Sequence, residues 1–194
     1  MNARPAACVA ALLLAGCATL PAPVEGDWPA RRTALQALDG WTLTGRVAVA
    51  AGAEGFSGGL RWRQDGASAE IDMRGPFGGT ALAIRIDGDS MTVTDAQGVH
   101  IHGDEARRVT ERYVGAPLPL PQLRYWLVGV PAPGSEFRET LGADARLAAL
   151  EQAGWLVRYT RYAAAAGQAL PDRIELSAGE VRLRLAVSGW RFAP

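Results

Sequence analysis

The chain has no lysine. All 20 of its basic residues are arginine, which, with the many alanines and 23 glycines, matches the coding bias of a GC-rich genome. Twenty acidic residues balance them, so no global field favours nucleic acid or an anionic surface. Cysteine is scarce, with only Cys8 and Cys17 present. Long hydrophobic runs are missing as well. The longest near the N-terminus, Ala6 to Ala15, holds about ten residues, whereas a membrane-spanning helix needs roughly 20. No Gly-rich phosphate loop, nucleophile elbow or zinc helix motif occurs. His100 and His102 are the only histidines. Two apart, they share a strand face, and without a third ligand they read as surface residues. Asp87, Asp89, Asp95 and Asp104 stand at turns or a helix start, where aspartate serves the backbone. Neither a catalytic residue nor a metal site emerges, and no enzyme is expected.

What is present begins with Leu14-Ala15-Gly16-Cys17, the pattern of a bacterial lipobox. Small residues let a signal peptidase approach the backbone, and the cysteine thiol takes a diacylglyceryl group before cleavage. Arg4 supplies the positive n-region and Ala6 to Ala15 the h-region. Residues 1–16 are thus expected to be a signal peptide, with N-acyl and S-diacylglycerol lipid on Cys17 and no other cofactor. Cys8 leaves with the signal and Cys17 is consumed by lipid, so no disulfide is expected. Ala18 follows the cysteine. Enteric-type sorting uses an aspartate there for inner-membrane retention, so its absence resembles an outer-membrane address. Residues 17–26 are rich in Ala and Pro and read as a lipidated tether. Residues 27–194 are long enough for one domain with a sizeable core, to which six tryptophans contribute a large apolar payload.

The domain opens with a helix. Asp27 offers an N-cap and Pro29 suits the first turn. Trp28, Leu35 and Leu38 share a face, Arg31 and Arg32 fall largely outside it, and Gly40 closes the helix. From Trp41 the period changes to two. Leu43, Val47 and Val49 alternate with polar residues, as do Phe56, Leu60 and Trp62, Ile71 and Met73, Leu82, Ile84 and Ile86, Met91 and Val93, and Val99 and Ile101. These runs, separated by turn residues, predict an antiparallel meander wet on one face. Asp104 then caps a helix with Ala106, Val109 and Tyr113 inward, ended by Gly115. After Pro117, Pro119 and Pro121, the residues Leu123, Trp126 and Leu127 form a second short apolar face, stopped by Gly129 and Pro131. A loop is expected through Leu141 to Glu151. Alternation returns at Trp155, Val157 and Tyr159, at Ile174 and Leu176, and from Val181 to Val187, with a hairpin at Gly179-Glu180. The count is about ten strands, with helices inserted after the sixth.

One turn stands out. Arg74-Gly75-Pro76-Phe77-Gly78-Gly79-Thr80 carries a large aromatic where turn tips hold small polar residues. Phe77 is either a plug over the barrel mouth or an apolar probe. Inserted among acyl chains, one Phe gains roughly 1.5–3 kcal/mol, enough for brief membrane contact and too little for anchoring.

Taken together, the lipobox, Trp41 through Gly45-Arg46, the Gly75-Pro76-Phe77-Gly78 turn and Pro117 to Pro131 with Trp126 resemble the LolB family of outer-membrane lipoprotein receptors. Gly154-Trp155, Tyr159, Tyr162, Leu170-Pro171 and the closing Leu183-Leu185-Trp190 extend the resemblance over nearly the whole mature chain. It implies a mainly β fold: an incomplete, half-open antiparallel β-barrel with a helical lid over a hydrophobic cavity. It also implies a receptor that accepts cargo lipoproteins from the periplasmic carrier LolA and delivers them to outer-membrane lipid without ATP. Such a protein would sit on the periplasmic face of the outer membrane of a Gram-negative bacterium, as a monomer with no nucleic-acid partner. The family's protruding turn carries an apolar residue implicated in membrane insertion, usually leucine. The matching position is Phe77, flanked by Pro76 and Gly78.

Acyl chains with several dozen CH₂ groups, at about 0.8 kcal/mol each, cost tens of kcal/mol in water. Their transfer requires a continuous apolar path. Candidate lining residues are Trp41, Val47, Val49, Leu60, Trp62, Ile71, Met73, Leu82, Ile84, Trp126, Trp155, Leu183 and Leu185. Parity alone does not separate cavity lining from ordinary core. The competing class is a structural or assembly lipoprotein of the envelope that presents a β-sheet surface to partners.

Overall fold

The structure, a computed structural model, describes residues 27–75, 78–165 and 167–192, the side chain of Glu54 excepted. The stretches expected to be a leader and a tether, with Cys17, and Pro76 and Phe77 lie outside the described residues. The elements run α1 (Trp28–Gln36), β1 (Gly40–Ala51), β2 (Glu54–Asp65), β3 (Ser68–Arg74), β4 (Thr80–Asp87), β5 (Ser90–Asp95) and β6 (His100–His102). After α2 (Gly103–Val114) and α3 (Leu120–Leu127) come β7 (Phe137–Leu141), β8 (Leu147–Gln152), β9 (Trp155–Ala165), β10 (Gln168–Ala178) and β11 (Val181–Phe192).

All eleven strands form one sheet in the order β6-β5-β4-β3-β2-β1-β11-β10-β9-β8-β7. Two antiparallel meanders, β1–β6 and β7–β11, are joined by the first strand lying beside the last. The edge strands β6 and β7 do not pair, so the sheet is a half-open barrel. In sequence, α2 and α3 fall between those two edges. Side chains from β1 to β5 and from β8 to β11 enter one hydrophobic core with α3, so the sheet wraps around its apolar face. Bulges provide the bending: β1 and β11 shift register at Thr44/Gly45, and β9 and β10 shift on either side of Arg173. A Cβ on Gly45 would lie 2.4 Å from the Ala186 carbonyl oxygen, so only glycine fits there.

Local chemistry accounts for the helix ends, with corrections. Asp27 caps α1 by accepting the Ala30 N–H at 3.2 Å. However, α1 ends at Gln36, and Gly40 begins β1 instead of closing the helix. Arg31 is buried rather than outside the face, because its guanidinium donates to the Ala169 carbonyl. Burial pushes its pKa down. Gly115 ends α2 in the left-handed region as expected (φ 85°). Asp104 is not the cap: it lies in the first turn, where its charge meets the positive helix end. The buried face of α2 is Ala106, Val109, Thr110 and Val114, and Tyr113 points to solvent.

β8 stands where a loop was expected, and β7 lies just before it in a stretch for which no strand was expected. In β7, all five residues are exposed or half-buried, so no alternation shows. In β8, the buried leucines Leu147 and Leu150 are three apart beside a bulge, and the third buried residue is Gln152. Neither pattern has a period of two. Val99 is exposed and precedes β6. Asp95 accepts the N–H groups of Gln97 and Val99, each at 2.9 Å, and this local turn consumes the residues that looked like strand.

Candidate functional site: the concave apolar face and its turn

All thirteen candidate lining residues are buried and belong to the single core cluster. Their residual exposure differs, and not strictly by element: Leu82 on β4 is fully closed, Trp41 on β1 keeps 2% and Trp155 on β9 keeps 5%. On β1 to β4 and β11, Val47, Val49, Leu60, Trp62, Ile71, Met73, Ile84, Leu183 and Leu185 each retain 4–9% of their surface. Trp126 on α3 retains none, and the surrounding Leu147, Leu150, Val157 and Leu170 are equally closed. Trp41 packs at 6.1 Å from Trp62 and edge-on at 5.4 Å from Trp190, forming an aromatic wall at one end of the face. Trp62 donates its indole N–H to Gln64 at 2.9 Å, and Gln64 donates to the carbonyls of Gly66 and Ser68. Trp155 also lines a depression of about 880 Å³ shared by β7, β8, β9 and the β10–β11 turn.

A polar network unsuspected from the sequence positions α3. Gln152 accepts from the Trp126 indole N–H at 2.7 Å and from the Ala132 N–H at 2.9 Å. Its amide donates to the Ala132 carbonyl and the Ser135 hydroxyl, both at 2.8 Å. Tyr159 donates to the Trp126 carbonyl at 2.9 Å, and Tyr162 donates to the Leu147 carbonyl at 2.7 Å. Burial pushes both phenols above the ordinary tyrosine range. A buried glutamine satisfied on both its oxygen and its nitrogen fixes a helix more firmly than apolar contact alone. The sequence held only a weak signal for it: Gln152 follows Leu147 to Leu150 and Glu151 and precedes the Ala153-Gly154 turn.

The turn at residues 75–79 is built on glycine. Gly75 donates its N–H to the Gly79 carbonyl at 2.9 Å, and Gly78 donates to the Gly75 carbonyl at 3.0 Å. Gly78 has φ +83°, a conformation that other residues adopt only under strain. At the base of the turn, a Cβ on Gly58 would lie 1.9 Å from the Arg74 carbonyl oxygen, so β2 passes there without a side chain. Gly78 is exposed; Pro76 and Phe77 are outside the described residues. His100 and His102 are exposed on β6, within 3.0 Å of the hydroxyls of Thr94 and Thr92 respectively.

Residues 39–190 match the family model described as "Outer membrane lipoprotein LolB". A protein named outer-membrane lipoprotein LolB from Stutzerimonas stutzeri is 35% identical over 188 residues, covering 93% of this chain and 91% of the relative. Among solved structures, a DUF1329 family protein from Desulfovibrio piger superposes with a TM-score of 0.61 at 9% identity, covering 86% of this chain and 90% of that one. A LolA superfamily protein from Nitrosomonas europaea superposes with a TM-score of 0.52 at 13% identity, covering 81% and 88%. At such identities the two structures speak for the fold alone.

Proposed function

The chain belongs to the outer membrane lipoprotein LolB family, and from that premise we propose that it receives lipoproteins from a LolA-like periplasmic carrier, shelters their acyl chains on its concave apolar face and inserts them into the outer membrane without ATP. The observation that carries this reading is a continuous apolar face inside a sheet whose two edges stay apart. A closed barrel would fix the width of its interior by strand number and stagger. An open one lets its wall separate where packing is loosest. The small accessible remainder at Val47, Leu60, Met73 and Leu185 supports placing the acyl chains there rather than against Trp126, Leu43 or Leu82, which are closed.

In this reading Cys17 carries the lipid that holds the receptor at the periplasmic face of the outer membrane. Phe77, framed by Pro76 and Gly78, enters the bilayer. Transfer makes and breaks no covalent bond, and its direction comes from rising affinity: carrier, then receptor, then membrane.

The test uses the chain from residue 17 onward with Cys17→Ser, which keeps every described element of the fold. It is mixed with carrier loaded with a labelled lipoprotein in the absence of nucleotide. The label is expected to move to the receptor and then into added liposomes. Phe77→Glu is expected to accept cargo and stall delivery, leaving a loaded receptor in solution; undiminished insertion would remove Phe77 from the mechanism. No transfer from an active carrier to a folded receptor would favour an assembly lipoprotein that only presents its sheet to partners.

A further inference from the structure

We propose that the outward face of β9, β10, β11 and β1 is a docking surface for the phosphate headgroups of an anionic bilayer. These four strands are neighbours in the sheet. Between them they carry seven arginines against two carboxylates, Asp172 and Glu175. All seven arginines are exposed. Arg161 takes Asp172 at 2.6 Å, and Arg184 takes Glu175 at 3.3 Å. Arg46, Arg158, Arg173, Arg182 and Arg191 have no carboxylate within ion-pair distance among the described residues. The chain as a whole is neutral. The excess is therefore a segregation of charge by the fold and not a consequence of composition.

Cross-strand register sets the spacing. Arg173 faces Ala186, and Ala186 faces Arg46. Arg46 in turn faces Gly59, and Gly59 faces Arg74. Arginine thus alternates with alanine or glycine, placing the charged residues on every second strand, about 10 Å apart. A depression of about 320 Å³ opens among Arg46, Arg173, Arg184 and Glu175, with Ala48 and Ala186 between them; Glu175 is neutralised by Arg184, which leaves Arg46 and Arg173 to an anion. No long side chain crowds the guanidinium groups from the two alanine positions.

The chemistry selects the occupant. A guanidinium fork matches phosphate oxygens in pairs, and arginine serves phosphate better than a point charge does. A protein partner would need apolar anchors at the centre of the patch. Between these arginines the outward side chains are instead small or hydroxylic, namely Ala48, Ala50, Ala186, Thr160 and Ser177, and the apolar Leu156 is half-buried at the margin opposite Ser177. A headgroup layer requires charge without such anchors. The row also ends at Arg74, immediately before the turn at residues 75–79, so this surface adjoins the turn. The inference concerns the outside of the sheet and stands apart from the acyl-chain reading of its inside.

The experiment is flotation of the chain from residue 17 onward, Cys17→Ser, with vesicles of phosphatidylcholine alone or with a third of phosphatidylglycerol. Binding is expected only to the anionic vesicles and is expected to weaken as salt shortens the screening length. Each arginine near such a surface is worth about fivefold, so Arg46→Gln/Arg173→Gln/Arg182→Gln should lower partitioning by up to about 100-fold. The corresponding lysine triple should bind more weakly than the parent and more tightly than the glutamine triple. Arg107→Gln/Arg108→Gln/Arg112→Gln on α2 makes the same change in net charge and should bind like the parent. Equal binding to both kinds of vesicle would overturn the proposal, as would an α2 triple that loses as much as the sheet triple. Thermal melts establish that all variants are folded. Phe77→Glu is expected to retain the charge-dependent binding, which keeps this outcome separate from that of the insertion turn.

Discussion

The two helices between the sheet's edges, α2 and α3, are attached by different physics. α3 is held by directed bonds: Trp126 to Gln152, Tyr159 to the Trp126 carbonyl, and Arg124 to the Gly66 carbonyl in the β2–β3 turn. α2 rests on small side chains, Ala106, Val109, Thr110 and Val114. Its own side-chain hydrogen bonds and ion pairs, among the described residues, stay within the helix. Regions with few large apolar contacts and no directed ties to their surroundings open at the lowest free energy. α3 is accordingly expected to be the more firmly held of the two, and α2 the first to open.

The sharpest challenge to this contrast is Trp126→Ala. It removes the largest fully buried side chain and frees Gln152, and is expected to cost about 3–5 kcal/mol in denaturant unfolding. A loss below about 1 kcal/mol would show that α3 is as loosely held as α2. Tyr159→Phe comes next. It leaves the Trp126 carbonyl without this donor and should cost about 1–2 kcal/mol. It also carries a pH signature. Burial raises the folded-state pKa of Tyr159, so its stabilising effect is full below about pH 10, the unfolded tyrosine value, and is lost as pH rises above that. The variant should therefore lose less stability than the parent between neutral and strongly alkaline pH. The smallest effect is expected from Val109→Ala, about 1 kcal/mol or less in global unfolding. Its readout is hydrogen exchange: faster amides throughout α2 with those of α3 unchanged. Equal acceleration in both helices would erase the distinction.

The legible parts of the fold were those in which a local period reports a half-buried surface. From β1 to β5, every second side chain enters the core, and the alternation shows directly in the chain. The same holds for β11 and for the buried face of α3. β7 was hidden because an edge strand exposed on both faces has no reason to alternate. β8 was hidden because a bulge breaks its period and one of its buried residues is polar. Arg31 was read as outside its face for a related reason: a helix of nine residues carries too few turns for periodicity to outweigh one hydrogen bond to a neighbouring strand. The candidate lining residues were all found among the buried ones, but parity is identical for a residue in a closed core and one facing an accessible space. Only packing distinguishes Val47 or Met73 from Leu150.

The sequence by itself determined the class of fold, the insertion point of the helices, the glycine-built turn and the family, because each is written in spacing along the chain. Tertiary structure alone decided three other matters. It left the sheet open, since whether β6 reaches β7 depends on the accumulated bend of nine intervening strands. It fixed α3 through Gln152, a partner 26 residues away from Trp126. It also turned a chain of zero net charge into one with an arginine-rich face, because strand register, and not sequence order, brings Arg46, Arg173 and Arg182 onto the same side of the sheet.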